Sequence, residues 1–172
     1  MKGAETVRFK KQESADPAVQ GLEEIYDRYG ALLFRVCFSE LQNRQDAEDA
    51  VQEIFLKLLR RRPVFSDSDH QRAWLIRTAV NQSRDQLRRR KVRLAVPLEE
   101  LQEYALSEEE TGFLEEVMGL PDKYRLAVTL HYLEGYSVKE TAVMLRISES
   151  AVKMRLSRGR ELLKGWKEDS HV

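Results

Sequence analysis

The chain has 172 residues, 42% hydrophobic and 34% charged, with eight Gly, four Pro and one Cys, which excludes a disordered chain, a collagen, a disulfide framework and a multi-cysteine metal site. Basic and acidic side chains number 29 each, yet they are segregated: residues 1–56 carry net −4, 57–93 net +9, 94–122 net −9 and 123–167 net +6. Two basic blocks split by an acidic one suggest two modules that each meet a polyanion, joined by a connector that does not.

The N-terminal stretch lacks an apolar h-region, and no run approaches 18 apolar residues. The expectation is no secretory signal, no membrane insertion and a reducing, cytoplasmic setting. Asp16-Pro17 reads as a helix start. Val19, Leu22, Ile25, Tyr29, Leu32, Leu33 and Val36 keep a helical period to about Glu40. The polar run Gln42 to Gln45 ends it. A second helix is expected from about Asp46 to Arg61, with Ala47, Ala50, Val51, Ile54 and Leu58 on one face, and Pro63 stops it. Residues 63–70 form a loop holding Phe65. Ser68 to Gln71 has capping-box spacing and starts a third helix, which carries Trp74, Leu75, Ala79 and Leu87 and turns basic at Arg84, Arg88, Arg89 and Arg90.

Residues 94–106, with Pro97, read as a linker between a domain over 1–93 and a second over 107–172. Ser107 to Glu110 caps a helix to about Met118, and Gly119-Leu120-Pro121 breaks it. One helix is expected from Asp122 to Glu134, ended by Gly135. Ser137 caps a short helix to Leu145, and Ser148 caps the last, to about Trp166. No segment alternates like a strand. The fold class is all-α: two small helical domains, the second a helix-turn-helix.

That second domain holds the strongest local signal. A short helix, a tight turn and a longer basic helix, with Ala142 small enough for close approach, form a helix-turn-helix pattern. The last helix presents Glu149, Ser150, Lys153, Met154, Ser157, Arg158 and Arg160 outward, where a major groove would be read. A plain helical hairpin is the competing reading. Phe65 and Trp74 beside a basic helix supply the stacking surfaces and cations that unpaired bases need, and Asn81 can donate to and accept from one base edge. Trp74 reads equally as core, and Asn81 equally as an ordinary surface residue. The helix with Asp46, Glu48, Asp49, Gln52 and Glu53 is acidic on one side, and Phe55 is expected off its apolar stripe. That acidic side fits a basic protein surface or simply solvent. The three His lack ligand spacing, no Gly-rich phosphate loop exists, and no cofactor, metal or catalytic set is expected.

In order and spacing these segments resemble bacterial sigma factors. Asp46-Ala47-Glu48-Asp49-Ala50-Val51-Gln52-Glu53-Ile54-Phe55 looks like their polymerase-binding helix. Arg72 to Asn81, running into Asp85 to Arg90, resembles the helix that melts and reads the minus-ten element. Leu120 to Arg125, Tyr136 to Ala142 and Ser150 to Arg160 resemble the domain that reads the minus-thirty-five element. The short connector leaves no room for a middle domain, which points to the extracytoplasmic-function (ECF) subfamily. The resemblance implies no catalysis, and it implies RNA polymerase core, promoter DNA and an anti-sigma factor as partners. It places core binding on Asp46, Glu48, Asp49, Gln52, Glu53 and Phe55. Minus-ten contacts fall on Phe65, Trp74, Arg77, Asn81, Arg84, Arg88 and Arg89. Minus-thirty-five contacts fall on Ser150, Lys153, Met154, Arg155, Ser157 and Arg158. Thr141 stands where many members have Ile, Met154 where many have Ser, and Arg146 at a turn often held by Gly. A self-standing helix-turn-helix regulator and a helical adaptor for acidic proteins are the rival readings. The acidic connector leads to the expectation that the chain alone binds duplex DNA weakly.

Overall fold

A computed structural model describes residues 17–89 and 107–163, and every regular element among them is helical. The expected connector, Asp16 and Trp166 lie outside the described residues. The elements are α1 (Pro17–Leu41), α2 (Arg44–Arg61), α3 (Ser68–Arg89), α4 (Glu108–Met118), α5 (Asp122–Val128) continuing into a π-helical turn (Thr129–Leu133), α6 (Val138–Leu145) and α7 (Glu149–Leu162).

Helices α1, α2 and α3 all pack on one another. Their shared core holds Leu33, Phe34, Val36 and Cys37 with Ala47, Ala50 and Ile54, and with Leu75, Ile76 and Ala79, all 2% exposed or less. Cys37 is core, as its apolar neighbours imply, and burial pushes its thiol pKa up to about 12. Asn43 caps α2 by accepting from the Asp46 N–H at 3.0 Å. The helix therefore begins two residues before the expected start, because Asn43 and Asp46 stand at cap spacing inside what read as a polar break. At α3 the cap is Asp67, whose carboxylate accepts from the His70 N–H at 2.7 Å. Ser68 is already the first helical residue.

The second module packs α5 against α7 and α6 against α7. Gly159 sits mid-helix because a Cβ there would stand 2.6 Å from Val128 Cγ2. The expected capping box is present: Ser137 Oγ accepts from the Glu140 N–H and Glu140 Oε2 from the Ser137 N–H. Ser148 caps α7 through the Ala151 N–H. The single helix expected over Asp122 to Glu134 is instead α5 plus the π turn, in which the Glu134 N–H donates to Thr129 O. One extra residue is taken up there without disturbing the hydrophobic period on either side.

Two of the residues that depart from the resembled pattern have visible consequences. Arg146 holds φ 55°, ψ 46° as the C-cap of α6, the left-handed region that disfavours a side chain. Thr141 is fully buried, and its hydroxyl has no hydrogen-bond partner. Replacing it by the isosteric Val removes that desolvated polar group. Thr141→Val is expected to stabilise the chain by about 1 kcal/mol and to raise the melting temperature by roughly 2–4 °C. Calorimetry on the two proteins measures this, and a lower melting temperature would mean that the hydroxyl is satisfied.

Candidate protein and nucleic-acid interfaces

Helix α3 runs from the Phe65 loop to the arginine-rich segment. Trp74, Arg77, Asn81, Arg84 and Arg88 recur at spacings of three and four, so they share one face. That stripe covers roughly 21 Å of helix. Asn81, Arg84, Arg88 and Arg89 are exposed, and Trp74 and Arg77 are half-buried. Phe65 is not a free loop aromatic. Its ring meets Trp74 edge-on at 5.7 Å and His70 at 5.5 Å, and the Ser66 N–H donates to His70 Nδ1 at 3.2 Å. The three rings form one cluster at the head of the stripe, a fixed stacking platform. Beside it Val64 is 92% exposed. An exposed aliphatic in a polar loop is the sequence signal of an apolar wedge, and Val64 was legible on that ground.

Not every cation on the stripe is unengaged. Arg84 pairs with Glu40 at 3.6 Å, Arg88 with Asp85 at 3.4 Å, and Arg77 Nε donates to Ala73 O at 3.2 Å. The Arg88 and Arg77 contacts are local to α3, whereas Arg84 meets a carboxylate that is nearly buried.

On α2 the surface differs from the acidic side expected. Asp46 is 2% exposed and Phe55 9%, and the Phe55 ring packs on Tyr26 at 5.3 Å. Neither offers a contact surface, because α2 is covered by both α1 and α3 and its buried arc is wider than one stripe. What α2 exposes is a mixed strip: Asp49 and Gln52 with Leu56 at 40% and Leu59 at 38%. Glu53 is half-buried, and Glu48 accepts from Arg44 at 2.9 Å. Leu56 and Leu59 follow Gln52 at i+4 and i+7, a phase that the sequence carried and the acidic reading passed over.

On α7, Ser150, Lys153, Met154 and Arg158 are exposed, Ser157 is half-buried, and Arg155 is half-buried on the flank. Met154 is 58% exposed among polar neighbours. Arg158 bonds Glu161 at 2.8 Å. The N-terminal turns of α7 thus carry a hydroxyl, an ammonium and an apolar tip outward. Among the described residues no His/Cys/Asp/Glu group could hold a metal, and no helix is long and apolar enough to cross a membrane.

Residues 25–93 match the family model for sigma-70 region 2, and residues 113–163 that for sigma-70 region 4. The ECF RNA polymerase sigma factor SigM of Mycobacterium tuberculosis (strain H37Rv) is 32% identical over 145 residues, covering 82% of this chain and 74% of its own. SigW of Bacillus subtilis, of the same description, is 28% identical over 176 residues, covering 91% and 93%. Among solved structures, CnrH in complex with the cytosolic domain of CnrY superposes with a TM-score of 0.63 at 29% identity, covering 84% of this chain and 86% of that one. The sigma factor RpoE of Bartonella quintana, solved with the anti-sigma factor NepR, shares the fold with a TM-score of 0.69 at 21% identity, covering 84% and 95%.

Glu40, the partner of Arg84, lies in the last turn of α1, where the helix dipole disfavours negative charge. Burial holds its carboxyl above the usual glutamate range, Asp122 adds to the shift, and Arg84 and Arg125 oppose it. A raised folded-state pKa gives stability that is present at low pH and lost as pH rises through that value. Urea titrations from about pH 4 to 8 are therefore expected to show a loss that Glu40→Gln abolishes. A variant that loses stability at neutral pH would instead make the Glu40–Arg84 pair net stabilising.

Proposed function

This chain belongs to the ECF sigma factors of the sigma-70 family, and we propose how its surfaces divide the work of that family. It binds RNA polymerase and directs promoter recognition and transcription initiation. The reading gives it no reaction of its own, since nucleotide addition is the work of polymerase, and it assigns the chain to the cytoplasm with its partners.

The α2 strip of Asp49, Gln52, Glu53, Leu56 and Leu59 is the face for the largest subunits of the core. It combines exposed apolar tips with an acidic rim, which suits a basic helical partner surface. The ring cluster of Phe65, His70 and Trp74, with Val64 and Asn81, holds unpaired bases of the melted minus-ten element, while Arg84, Arg88 and Arg89 neutralise its phosphates. Ser150, Lys153, Met154, Ser157 and Arg158 face the minus-thirty-five duplex, where the Met154 tip suits a thymine methyl. Arg155 reaches phosphate from the flank. The observation that carries this reading is the single α3 stripe, which joins a stacking cluster, an exposed amide and a run of arginines in the order a single strand would meet them. As in the Bartonella protein, an anti-sigma factor is the expected inhibitory partner.

Transcription by the reconstituted holoenzyme from minus-ten variants tests the base reading. Asn81→Ala should relax preference at one promoter position, a loss of about 1–3 kcal/mol of discrimination. Arg88→Ala should weaken all sequences alike and reduce the salt slope by about one unit. A uniform loss with Asn81→Ala would make that residue structural.

The α2 assignment has its own measurement. Replacing Gln52 by Ala and Glu53 by Lys should lower core affinity with helix content unchanged, mostly through slower association if the contact is at the rim. Unchanged affinity would leave that strip facing only solvent.

A further inference from the structure

The C-terminal end of α2 carries three consecutive arginines that neither the α2 strip nor the α3 stripe includes. Arg60, Arg61 and Arg62 are all exposed. Among the described residues none of the three side chains makes an ion pair or a hydrogen bond. Arg62 is the C-cap, at φ 43° and ψ 54°, and its backbone N–H donates to Leu58 O at 3.0 Å. That left-handed backbone crowds a Cβ, and the following Pro63 restricts Arg62 further. The cap bond needs no side chain, so glycine would close α2 with less strain. Basic residues in a last turn offset the helix dipole, which accounts for Arg60 and Arg61 but not for an arginine on a strained backbone. Gln42 has the same kind of backbone, and there the side chain bonds Met118 O at 2.8 Å. The Arg62 side chain has no such partner within the described residues, which points to one outside the chain.

The ring cluster is the neighbour of these arginines. Arg62 stands three residues before Phe65, so their Cα atoms are at most about 11 Å apart. Gln86 of α3 donates to Asp46 O, at the start of α2, at 3.5 Å. The two helices therefore run antiparallel, and the end of α2 lies at the head of α3, away from Arg84 and Arg88. Those two are about 15 and 21 Å along α3 from Trp74. The α3 cations nearer the rings are already engaged: Arg72 bonds Asp69 at 3.1 Å and lies 4.8 Å over the Tyr136 ring, and Arg77 turns back onto Ala73 O. A base stacked on Phe65 and Trp74 carries a phosphate on each side. The far arginines of α3 serve the strand on one side only, and the end of α2 is placed for the other.

We propose that Arg62, with Arg61 beside it, holds a phosphate of the melted minus-ten strand on the side of the ring cluster away from the α3 arginines. The ligand is the phosphodiester backbone of single-stranded DNA, met without regard to base. The site rests on the reading of the ring cluster as a holder of unpaired bases. A guanidinium suits it, because its fork meets phosphate oxygens with two parallel bonds. Arg60 adds to the local positive potential. The left-handed cap takes Arg62 out of the helical path of α2 and into the segment that leads to the rings. Phosphates held on both sides fix the register of the base between them.

Holoenzyme reconstituted with the full chain tests it, on promoters that carry single neutral methylphosphonate linkages along the melted minus-ten strand. The wild type should lose affinity at two groups of linkages, one on each side of the stacked base. Arg62→Gly should abolish the response at one group alone and lower the salt slope by about 0.7 of a unit, the share of one phosphate on a single strand. Its melting temperature should rise, because glycine relieves the backbone. Arg62→Lys should keep the slope, and Arg61→Gln, at an ordinary helical position, should lower it. A melting temperature that falls with Arg62→Gly would give the side chain a role within the fold and overturn the proposal. So would an unchanged slope, or a loss of affinity for core polymerase without DNA, which would make the arginines a polymerase contact. Arg88→Ala measured alongside keeps the two readings apart. A slope that falls there and not at Arg62 overturns this site alone, whereas no response to any neutral linkage in any of the proteins overturns the base reading beneath it.

Discussion

An α-helix cannot bond its own last four carbonyls, and this chain satisfies two such ends across the boundary between its modules. The C-terminus of α1 offers Ser39 O, and Arg125 of the second module fills it. The C-terminus of α4 offers Met118 O, and Gln42 of the first module fills it. Each module thus supplies a donor that the other lacks. A guanidinium suits the buried half of this exchange, because its planar fork serves Ser39 O, Leu120 O and Asp122 together.

The same constraint fixes the backbone at the helix ends. Gln42, Arg62 and Arg146 all hold positive φ, although none is glycine. At Arg62 and Arg146 the left-handed residue turns its own N–H back onto the last turn, to Leu58 O and to Ala142 O and Val143 O. At Gln42 the N–H bonds Phe38 O, and the side chain is left aimed at the other module. A glycine there would relieve strain and lose the donor. The side chain is therefore part of the docking, and the strained backbone is what aims it.

Local chemistry made much of this legible. Ser137 with Glu140, and Ser148 alone, announced α6 and α7, because a cap is written within four residues. The α3 stripe was legible for the same reason: Trp74, Arg77, Asn81, Arg84 and Arg88 repeat at helical spacing whatever they face. Competing local signals produced the errors of boundary. Asp67 and Ser68 are both cap residues, and only the bond from the His70 N–H decides between them. The π turn stayed hidden because an inserted residue leaves the apolar period readable on both sides. Phe55 looked exposed because a one-face template does not allow for a helix covered by two neighbours, and Tyr26 fills that second side.

The docking surface was the part that sequence could not display. Arg125 and Ser39 are 86 residues apart, and Arg35 and Glu134 are 99 apart. No periodicity links such pairs, and Arg125 counted as one more cation in a basic block. Charge segregation had suggested that the acidic segment shields the basic ones. In the described residues the pairing is finer: single acids, Glu134 and Glu140, meet single arginines of the first module, Arg35 and Arg72. Net charge over a block reports how a polyanion will be met at long range, whereas the resting arrangement depends on which few charges are desolvated. Salt screens the first over about 10 Å and hardly touches the second. Ionic strength should therefore tune how the basic blocks meet DNA far more than it tunes how the two modules are held together.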